Sequence, residues 1–509
     1  MALSLKDQIR SLMSQFHSSP ESSLNIMKEI NFLMSSVPQS DVSNIVQEYQ
    51  IAPLIRYVVQ NPPRQKDDQE AIINFLSKLL DSISPNIVIK QFTPELILAL
   101  NSELLDVKEM ALKQVKRCLT DNIATSIMIQ NMDLLCCVAR LIGDDMCLAK
   151  LSTIIFSTLG KDLDALPIIF APRVNSEFQN LLGKDDVIRF RVYEVFVKIA
   201  CCSPQALQKV IEMQYLEQLT SEIYKDDMLL LLNCVELLTN LVLVEHGLVC
   251  LEQYGLLDKL QELLTRSLED SLGSFILPGL LKFFGNLGHS QPNKLFKELP
   301  KVVNIIFNLC DSNDFVLKSH AVRTLGFIGA MSDGKRYLVQ EGTKMEKYLQ
   351  CVGDLIKGGS NEVKVDGLAT MFDLVQIMDN KSPDVEDITE NWFRRIISSP
   401  MTTLMAYCKS PFLDLRCGAL SILQAIASQV WGVKELASFP GFLEYLLDRS
   451  TEYTKEGKEC KFGVVEVLLK SPIIENIYNT EAIMQLREFY KMGPFYVPTE
   501  ASVVFEGAG

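Results

Sequence analysis

The sequence predicts an all-α protein built from armadillo-like or HEAT-like helical repeats that stack into one solenoid. Three observations indicate this class: a recurring acidic residue before apolar helices, apolar stripes with helical spacing, and a composition rich in leucine and isoleucine. Hydrophobic residues make up 48% of the 509 residues, which is enough to bury a continuous core. A single globular core rarely grows this large, whereas a repeat array can, because each unit packs only on its neighbours.

The recurring acidic residue sets the period of the repeat. Seven such positions stand at the start of an apolar helical stretch: Asp68, Asp106, Asp145, Asp186, Asp227, Asp270 and Asp314. The successive differences are 38, 39, 41, 41, 43 and 44 residues. Periods of about 40–47 residues are typical of armadillo and HEAT repeats.

The unit that starts at Asp227 predicts three helices. Its first helix carries an apolar stripe at positions i, i+4, i+7, i+10 and i+14, formed by Met228, Leu232, Val235, Leu238 and Val242. A short second helix over 248–254 should end at Gly255, a residue that suits the end of a helix. A third amphipathic helix follows over 256–264. Three helices per repeat are typical of armadillo proteins, whereas HEAT repeats have two longer ones.

The regularity of the repeat pattern differs along the chain and predicts three structural parts. Residues 1–100 should form irregular helical repeats that cap the stack, since terminal repeats deviate from the pattern. Residues 101–490 should form one continuous solenoid, and 491–509 a tail. The acidic stretch 379–390, which contains Pro383, is expected to be a solvated connecting loop.

Charge and composition exclude several classes of partner. The chain has 49 basic and 63 acidic residues, a net charge of −14, which disfavours nucleic acid and anionic membrane surfaces as partners. The longest apolar run, 228–244, contains polar residues and is predicted to be a buried helix, so no membrane span is expected.

The adjacent cysteine pairs 136–137 and 201–202 are interpreted as small core residues in a reducing compartment. We therefore expect a soluble protein of the cytosol, or also of the nucleus, that is a monomer when free.

No motif indicates catalysis, so we predict no catalytic residue, no cofactor site and no metal site. The four histidines, His17, His246, His289 and His320, are far apart in sequence. Residues 329–335 match the spacing G-x-x-x-x-G-K of a phosphate-binding loop. However, Arg336 stands where Ser or Thr should bind magnesium, and the motif follows a helix instead of a strand. We interpret it as a solvent-facing turn with Lys335 exposed.

Partner binding is predicted on polar positions of the third helices, which should line an acidic groove bordered by two basic residues. The candidates are Glu217, Glu222, Asp258, Gln261, Glu262, Lys282, Arg323 and Glu346, with Lys347 beside the last. Asn240 and Asn286 occupy equivalent places near the end of a long framework helix, not of a third helix that lines the groove. We expect them to form hydrogen bonds at these helix ends and not a peptide-binding ladder.

Four segments resemble one family. They are 186–194 (DVIRFRVYE), 274–288 (SFILPGLLKFFGNLG), 438–450 (SFPGFLEYLLDRS) and 493–497 (GPFYV) with the ending FEGAG. Together they resemble the family of the 26S proteasome non-ATPase regulatory subunit 5, from about the third repeat to the C-terminus. The resemblance implies an assembly chaperone of the proteasome base that binds the C-terminal domain of an ATPase ring subunit. It also implies a neighbouring ATPase subunit and the large non-ATPase scaffold subunit as partners, and absence from the mature proteasome.

An armadillo-type adaptor or transport receptor for basic peptides is the alternative that the sequence leaves open. An acidic groove would suit such a role. A regular ladder of asparagine and tryptophan would favour it, but the chain has only Trp392 and Trp431, both in the less regular C-terminal repeats.

Overall fold

The computed structural model describes residues 5–18, 23–34, 52–60, 65–225, 227–269, 273–379 and 381–497. Within these ranges the secondary structure is helical and contains no strand. The prediction of an all-α helical-repeat protein is therefore confirmed. The chain forms two compact units, Met1–Cys250 and Leu251–Gly509.

In the described part of unit 1 there are fifteen complete helices and a sixteenth, α16, which extends past Cys250. They are α1 (Leu5–Ser18), α2 (Ser23–Met34), α3 (Ala52–Gln60), α4 (Lys66–Asp81), α5 (Pro85–Leu100), α6 (Leu105–Cys118), α7 (Asn122–Ile129), α8 (Met132–Arg140), α9 (Met146–Leu159), α10 (Leu166–Ile169), α11 (Pro172–Leu182), α12 (Asp186–Ala200), α13 (Pro204–Glu212), α14 (Tyr215–Ser221), α15 (Met228–Leu241) and α16 (Glu245–Gln253).

The described part of unit 2 contains sixteen further helices. They are α17 (Leu256–Ser267), α18 (Gly273–Ser290), α19 (Pro292–Glu298), α20 (Pro300–Leu309), α21 (Phe315–Ile328), α22 (Ser332–Gln340), α23 (Thr343–Lys357), α24 (Asn361–Val375), α25 (Pro383–Ile396), α26 (Pro400–Cys408), α27 (Leu413–Ala427), α28 (Val430–Ser438), α29 (Phe442–Leu447), α30 (Lys455–Leu469), α31 (Ile474–Ile477) and α32 (Thr480–Met492). The boundaries that the sequence suggests at residues 100 and 490 stay predictions.

The recurring acidic residues stand at helix starts, as their spacing predicts. Asp227 caps α15, since its carboxylate accepts hydrogen bonds from the backbone N–H of Leu229 at 2.9 Å and of Leu230 at 3.1 Å. Asp145 and Asp314 cap α9 and α21 in the same way. The others that the structure describes, Asp68, Asp106 and Asp186, lie in first turns, where the helix dipole favours a negative charge. Asp270 lies outside the described residues.

The three-helix repeat is confirmed where the sequence shows it best, in α15, α16 and α17. The turn between the second and third helix recurrently has a positive φ. It is formed by Gln214 in unit 1 (φ 63°) and by Gly255, Gly342 and Gly441 in unit 2 (φ 65°, 55° and 78°). Each of these residues immediately precedes a third helix. A left-handed residue at this point reverses the chain within one or two residues, which explains the preference for glycine.

The predicted apolar stripe of α15 is only partly the buried face. Val235, Leu238 and Val242 are buried, whereas Met228 and Leu232 are half-buried. The interior also takes Leu230, Leu231, Cys234 and Leu241 from this helix. Helix α15 packs on α12 and on the short segment Glu222–Tyr224, so its buried face is wider than one stripe.

The acidic stretch 379–390 is not the solvated loop that the sequence suggested. Helix α25 begins at Pro383 within this stretch and runs to Ile396. Val385, Trp392 and Phe393 are buried on one face, and this packing overrides the helix-breaking appearance of the acidic, proline-containing segment.

The start of the C-terminal tail packs on the last helices. The guanidinium of Arg449 donates hydrogen bonds to the backbone carbonyls of Phe489 at 2.9 Å and Gly493 at 2.8 Å, and its centre lies 5.4 Å from the Tyr496 ring. Residues 498–509, with the FEGAG ending, lie outside the described residues.

All thirteen cysteines are free thiols. Cys136 and Cys137 are buried as expected, but Cys201 and Cys202 are only half-buried. In the part of the chain that the structure describes, no single helix is long and apolar enough to span a membrane. The pair α7 and α8 meets the length and composition criteria only jointly, with an 88° bend between its two segments.

The turn before α17 gives a test of the repeat geometry. Gly255→Ala should lower the free energy of unfolding by about 1–2 kcal/mol, because alanine disfavours a positive φ and no neighbouring atom lies within 4 Å of the added methyl. Gly183→Ala is the control, since Gly183 has φ −77° and its added methyl meets only ordinary contacts. Urea unfolding followed by circular dichroism measures both. Equal stability of the two variants would contradict the assigned turn.

Candidate partner-binding surface

Four of the predicted residues lie on the third helices α14 and α17. Glu217 is exposed on α14 in unit 1. Asp258 and Glu262 are exposed on α17 in unit 2, and Gln261 between them is half-buried. These side chains are accessible to a partner, as the sequence suggested, and their role in binding stays a prediction.

Glu222 does not face a groove. Its side chain is 3% exposed in a short 3-10 segment, Glu222–Tyr224, where it pairs with Arg189 at 3.2 Å and Lys225 at 2.7 Å. The expectation that Glu222 is a solvent-facing residue is therefore wrong. The reason is that the chain leaves α14 in this segment and turns under α15, which carries the carboxylate inwards toward the first turn of α12.

The predicted surface is less acidic than its residue types suggest. Glu262 forms ion pairs with Lys259 at 3.0 Å and Arg266 at 3.7 Å on the same helix. The hydrogen bond from Lys259 lowers the pKa of Glu262, which favours the charged carboxylate. The two basic side chains beside it balance this negative charge. Asp258, the other exposed carboxylate of α17, forms no ion pair among the described residues.

The two predicted basic residues belong to first helices. Lys282 is exposed on α18, while Arg323 on α21 is half-buried and pairs with Asp373 of α24 at 3.1 Å. Burial raises the pKa of Asp373, and the guanidinium of Arg323 opposes this shift. Arg323 therefore joins two neighbouring first helices, and the structure does not place it together with Asp258 or Glu262.

Glu346 stands at the rim of a cleft between α23 and α25. The cleft has a volume of about 310 Å³. Its apolar part is formed by Val339, Met345, Leu349, Ile388 and Trp392, and its polar part by Glu346, Asp387, Asn391 and Arg395, with Gly342 beside them. Glu346 and Arg395 form an ion pair at 3.0 Å across the rim, whereas Lys347 next to Glu346 is exposed and does not line the cleft.

The segment that forms α25 also shows helical spacing of its apolar residues, which its acidic composition obscured. Residues 385, 389, 392, 393 and 396 are apolar or small and repeat at intervals of three and four, which predicts an amphipathic helix. Its other face carries Ile388 and Arg395 into the cleft. Pro383 is compatible with this helix because it is the first residue, where no backbone N–H is needed.

Both candidate asparagines make the helix-end hydrogen bonds that the sequence predicts. The Asn286 amide donates to the carbonyl of Lys282 at 2.7 Å. The Asn240 amide donates to the carbonyls of Glu236 and Leu237, both at 3.3 Å. They therefore satisfy carbonyls within their own helices.

Lys335 is buried, which contradicts the prediction of a solvent-facing turn. The residue lies in α22, and its Nζ donates hydrogen bonds to the carbonyls of Gly329, of Ala330 at 3.3 Å and of Asp373 at 3.1 Å. The ammonium thus satisfies carbonyls at the ends of α21 and α24. Burial lowers the pKa of Lys335 to about 7, against the opposing charges of Asp373 and Asp379.

The histidines that the structure describes in detail also serve the fold. The ring of His246 bonds the carbonyl of Ala200 at 3.0 Å. The ring of His289 bonds the carbonyl of Phe327 at 2.8 Å and stacks on the Phe327 ring at 4.0 Å. Across the described ranges, no group of three or more histidine, cysteine, aspartate or glutamate residues could hold a metal ion.

Comparison with known proteins gives a consistent result along the chain. The family profile described as "Proteasome non-ATPase 26S subunit" matches residues 5–509. Proteins named 26S proteasome non-ATPase regulatory subunit 5 from Bos taurus and Homo sapiens are 29% and 28% identical, and each alignment covers 96% of this chain and 97% of the relative. The protein of that name from Drosophila melanogaster is 27% identical over 68% of this chain and 69% of its own length.

Among solved structures, yeast importin-β (Kap95p) aligns with a TM-score of 0.56 at 15% identity, covering 95% of this chain and 61% of that one. The Kap95:Nup1 complex gives the same TM-score and identity over 96% of this chain and 66% of that one. At this identity the likeness concerns the fold alone, and it supports the helical-repeat class.

The burial of Lys335 can be tested through its pH dependence. Lys335→Met should lower the free energy of unfolding by about 1–3 kcal/mol at pH 7, because three buried carbonyls lose their donor. The native pKa of about 7 lies below the ordinary value of 10.5, so between these values the unfolded chain binds more protons than the native one. Stability from this group therefore increases as the pH rises from about 7.

The difference in stability between the native sequence and Lys335→Met should consequently widen from pH 7 to pH 9, by up to about 1.4 kcal/mol per pH unit. Urea unfolding at several pH values measures it. Lys301→Met, at an exposed lysine of the same unit, should leave the pH dependence unchanged. Parallel pH profiles of the native sequence and Lys335→Met would show that Lys335 keeps an ordinary pKa.

Proposed function

Because this chain belongs to the family of proteasome non-ATPase 26S subunits, we propose that it is an assembly chaperone of the base of the proteasome regulatory particle. It transiently binds the C-terminal domain of one ATPase ring subunit. It holds that subunit together with a neighbouring ATPase subunit and the large non-ATPase scaffold subunit, and it is absent from the mature proteasome. The observation that carries the proposal is the match to the named relatives over 96% of this chain and 97% of theirs.

The architecture supports a scaffold and fits a non-enzymatic subunit. Repeats of three helices present many exposed side chains and few enclosed cavities, which suits contact with a folded domain. The rings of His246 and His289 and the ammonium of Lys335 are engaged with backbone carbonyls. We therefore propose a protein that binds other proteins without catalysis, and that acts in the cytoplasm.

The cleft between α23 and α25 suits an anchoring contact. Protein interfaces concentrate their energy in a few large apolar side chains that enter pockets, with charges at the rim for orientation. Val339 and Ile388 provide the apolar surface, and Glu346 and Arg395 provide both signs of charge at the rim. If most of the binding energy comes from one such anchor, loss of that single contact is enough to release the ATPase subunit later in assembly.

The alternative of a transport receptor for basic peptides receives less support. It relied on an acidic groove, yet Glu222 is buried, and Glu262 and Glu346 are paired with basic side chains. The likeness to importin-β concerns the fold alone at 15% identity. The family match along the chain favours the chaperone.

Affinity capture of the full-length tagged chain from cell extract tests the proposed role in assembly. We expect ATPase subunits and the large non-ATPase scaffold subunit in the captured material, without the peptidase subunits of the assembled proteasome. Purified ATPase C-terminal domains, tested one at a time, should then identify the subunit that binds directly. Recovery of the chain as a stable component of the complete proteasome would contradict a transient chaperone.

The cleft is tested by Val339→Glu. This change should weaken binding of the captured ATPase domain at least about tenfold, because it places a charge in the apolar part of the cleft. Val249→Glu is the matched control, since Val249 also lies in a second helix and is 46% exposed against 44% for Val339. Isothermal titration measures both affinities, and circular dichroism checks that both variants fold. Equal loss or equal retention in the two variants would exclude the cleft as the anchor.

A further inference from the structure

An apolar residue is exposed at the same place in four consecutive repeats of unit 1. It lies in the opening turn of each first helix: Leu105 in α6, Met146 in α9, Val187 in α12 and Leu229 in α15. These side chains are between 43% and 71% exposed, and they stand 41, 41 and 42 residues apart. Single exposed apolar residues are ordinary on protein surfaces. These four differ from scattered exposed residues because they recur in the register of the repeat. We name these four residues the unit 1 edge.

Polar contacts hold the opening turns of these helices side by side. The Lys108 ammonium in the first turn of α6 pairs with Asp144, which precedes α9, at 2.6 Å. The carbonyl of Asp144 also accepts a hydrogen bond from Arg191 of α12 at 2.6 Å. Arg189 in the first turn of α12 pairs with Glu222, which precedes α15, at 3.2 Å. Each repeat is thus tied to the next at this end, which places the four apolar residues in a row along one edge of consecutive repeats.

The spacing of the row indicates the form of the partner. Packed helices lie roughly 8–10 Å apart, so neighbouring residues of the row are separated by about that distance. Residues seven positions apart on an α-helix lie roughly 10.5 Å apart along its axis and on the same face. In an extended strand, residues on one face are roughly 6.6–6.8 Å apart, which does not match. A helix that lies along the row can therefore bring one apolar residue to each of its members.

The charges beside the row indicate the sign of the partner. Six exposed carboxylates stand in the same opening segments: Glu103, Asp106, Asp145, Asp185, Asp186 and Asp227. Asp186 is already paired with Arg189 at 2.6 Å, which leaves five for a partner. Of the lysines in these segments, Lys184 and Lys225 are exposed, and Lys225 is already paired with Glu222. Several of the carboxylates accept hydrogen bonds from backbone N–H groups at helix starts. A partner helix should consequently carry basic residues next to its apolar ones.

We propose that the unit 1 edge is a docking surface for a basic amphipathic helix of another protein, with apolar residues repeating at intervals of seven. This surface is formed by first helices, whereas the proposed ATPase contact uses the cleft of unit 2. The two proposals are therefore independent. A second copy of this chain would bring its own acidic edge to the row, and an anionic membrane would also be repelled by the carboxylates.

A synthetic helical peptide of about four heptads tests the proposal, with leucine at every seventh position and lysine and alanine elsewhere. The full-length chain should bind the labelled peptide in fluorescence anisotropy, and the affinity should fall as salt is added. The double variant Val187→Ser with Leu229→Ser should weaken binding at least about tenfold. The double variant Leu243→Ser with Val249→Ser is the matched control and should bind normally, because both residues are exposed in unit 1 outside the edge.

Several results would overturn the proposal. They are no binding of the lysine peptide, equal binding by the edge and control variants, and equal binding of a peptide with glutamate in place of lysine. Sedimentation that shows a dimer lost in the edge variant would assign the row to a second copy instead. Co-sedimentation with anionic vesicles that depends on the edge would assign it to a membrane. Binding of the ATPase domain is measured in parallel and should be unchanged in the edge variant, so failure here leaves the proposed function intact.

Discussion

Within each unit, a first helix buries much of its apolar side by packing on the first helices of the neighbouring repeats. In unit 2, α21 and α24 approach so closely that a methyl group at Gly326 would lie 2.8 Å from Cγ2 of Thr370. A side chain at position 326 would push these helices apart, so glycine there permits the close contact. A repeat separated from its neighbours would expose this face, and stability is therefore a property of the stack.

Ion pairs set the register of this packing. The fourth residue of a first helix is basic in α6, α12 and α27, namely Lys108, Arg189 and Arg416. Each pairs with an acidic residue just before a following first helix: Asp144 at 2.6 Å, Glu222 at 3.2 Å and Glu452 at 3.2 Å. Arg416 and Glu452 are almost fully buried. Removing one member of the Arg416–Glu452 pair leaves the other charge buried without its ionic partner, so this pair penalises any packing in which the two do not meet.

The sequence was sufficient for features that depend on neighbouring residues. Asp227 and Asp314 cap helices through the backbone N–H groups two and three positions away, and Gly255 forms its turn without help from the rest of the chain. The acidic spacing, the three-helix unit and the bond of Asn286 are local in the same sense. The resemblance to the proteasome subunit family held because it was carried by several ordered segments and not by one motif.

Burial of individual charged residues could not be predicted from the sequence, because the partners lie one repeat away. Lys335 bonds a carbonyl 38 residues later in the chain, and Glu222 meets an arginine 33 residues earlier. When only the neighbouring residues in sequence are considered, both side chains are predicted to be exposed, since lysine and glutamate are rarely buried without a partner. Helix α25 was also not predicted from the sequence. The segment is acidic and contains proline, which suggested a loop, although its apolar residues have the spacing of a helix that packs on one face.

The same ties that hold the repeats also determine what remains for partners. Glu222, Arg189 and Lys108 use their charges inside the stack. The exposed residues that remain include capping carboxylates, mixed charges on third helices and apolar side chains at regular intervals. None of these groups alone forms a strong site, and specificity on such a protein must come from matching several of them at the spacing of the repeat. A partner with a rigid surface of its own, such as a folded domain or a helix, can satisfy that condition, whereas a small ligand cannot span it.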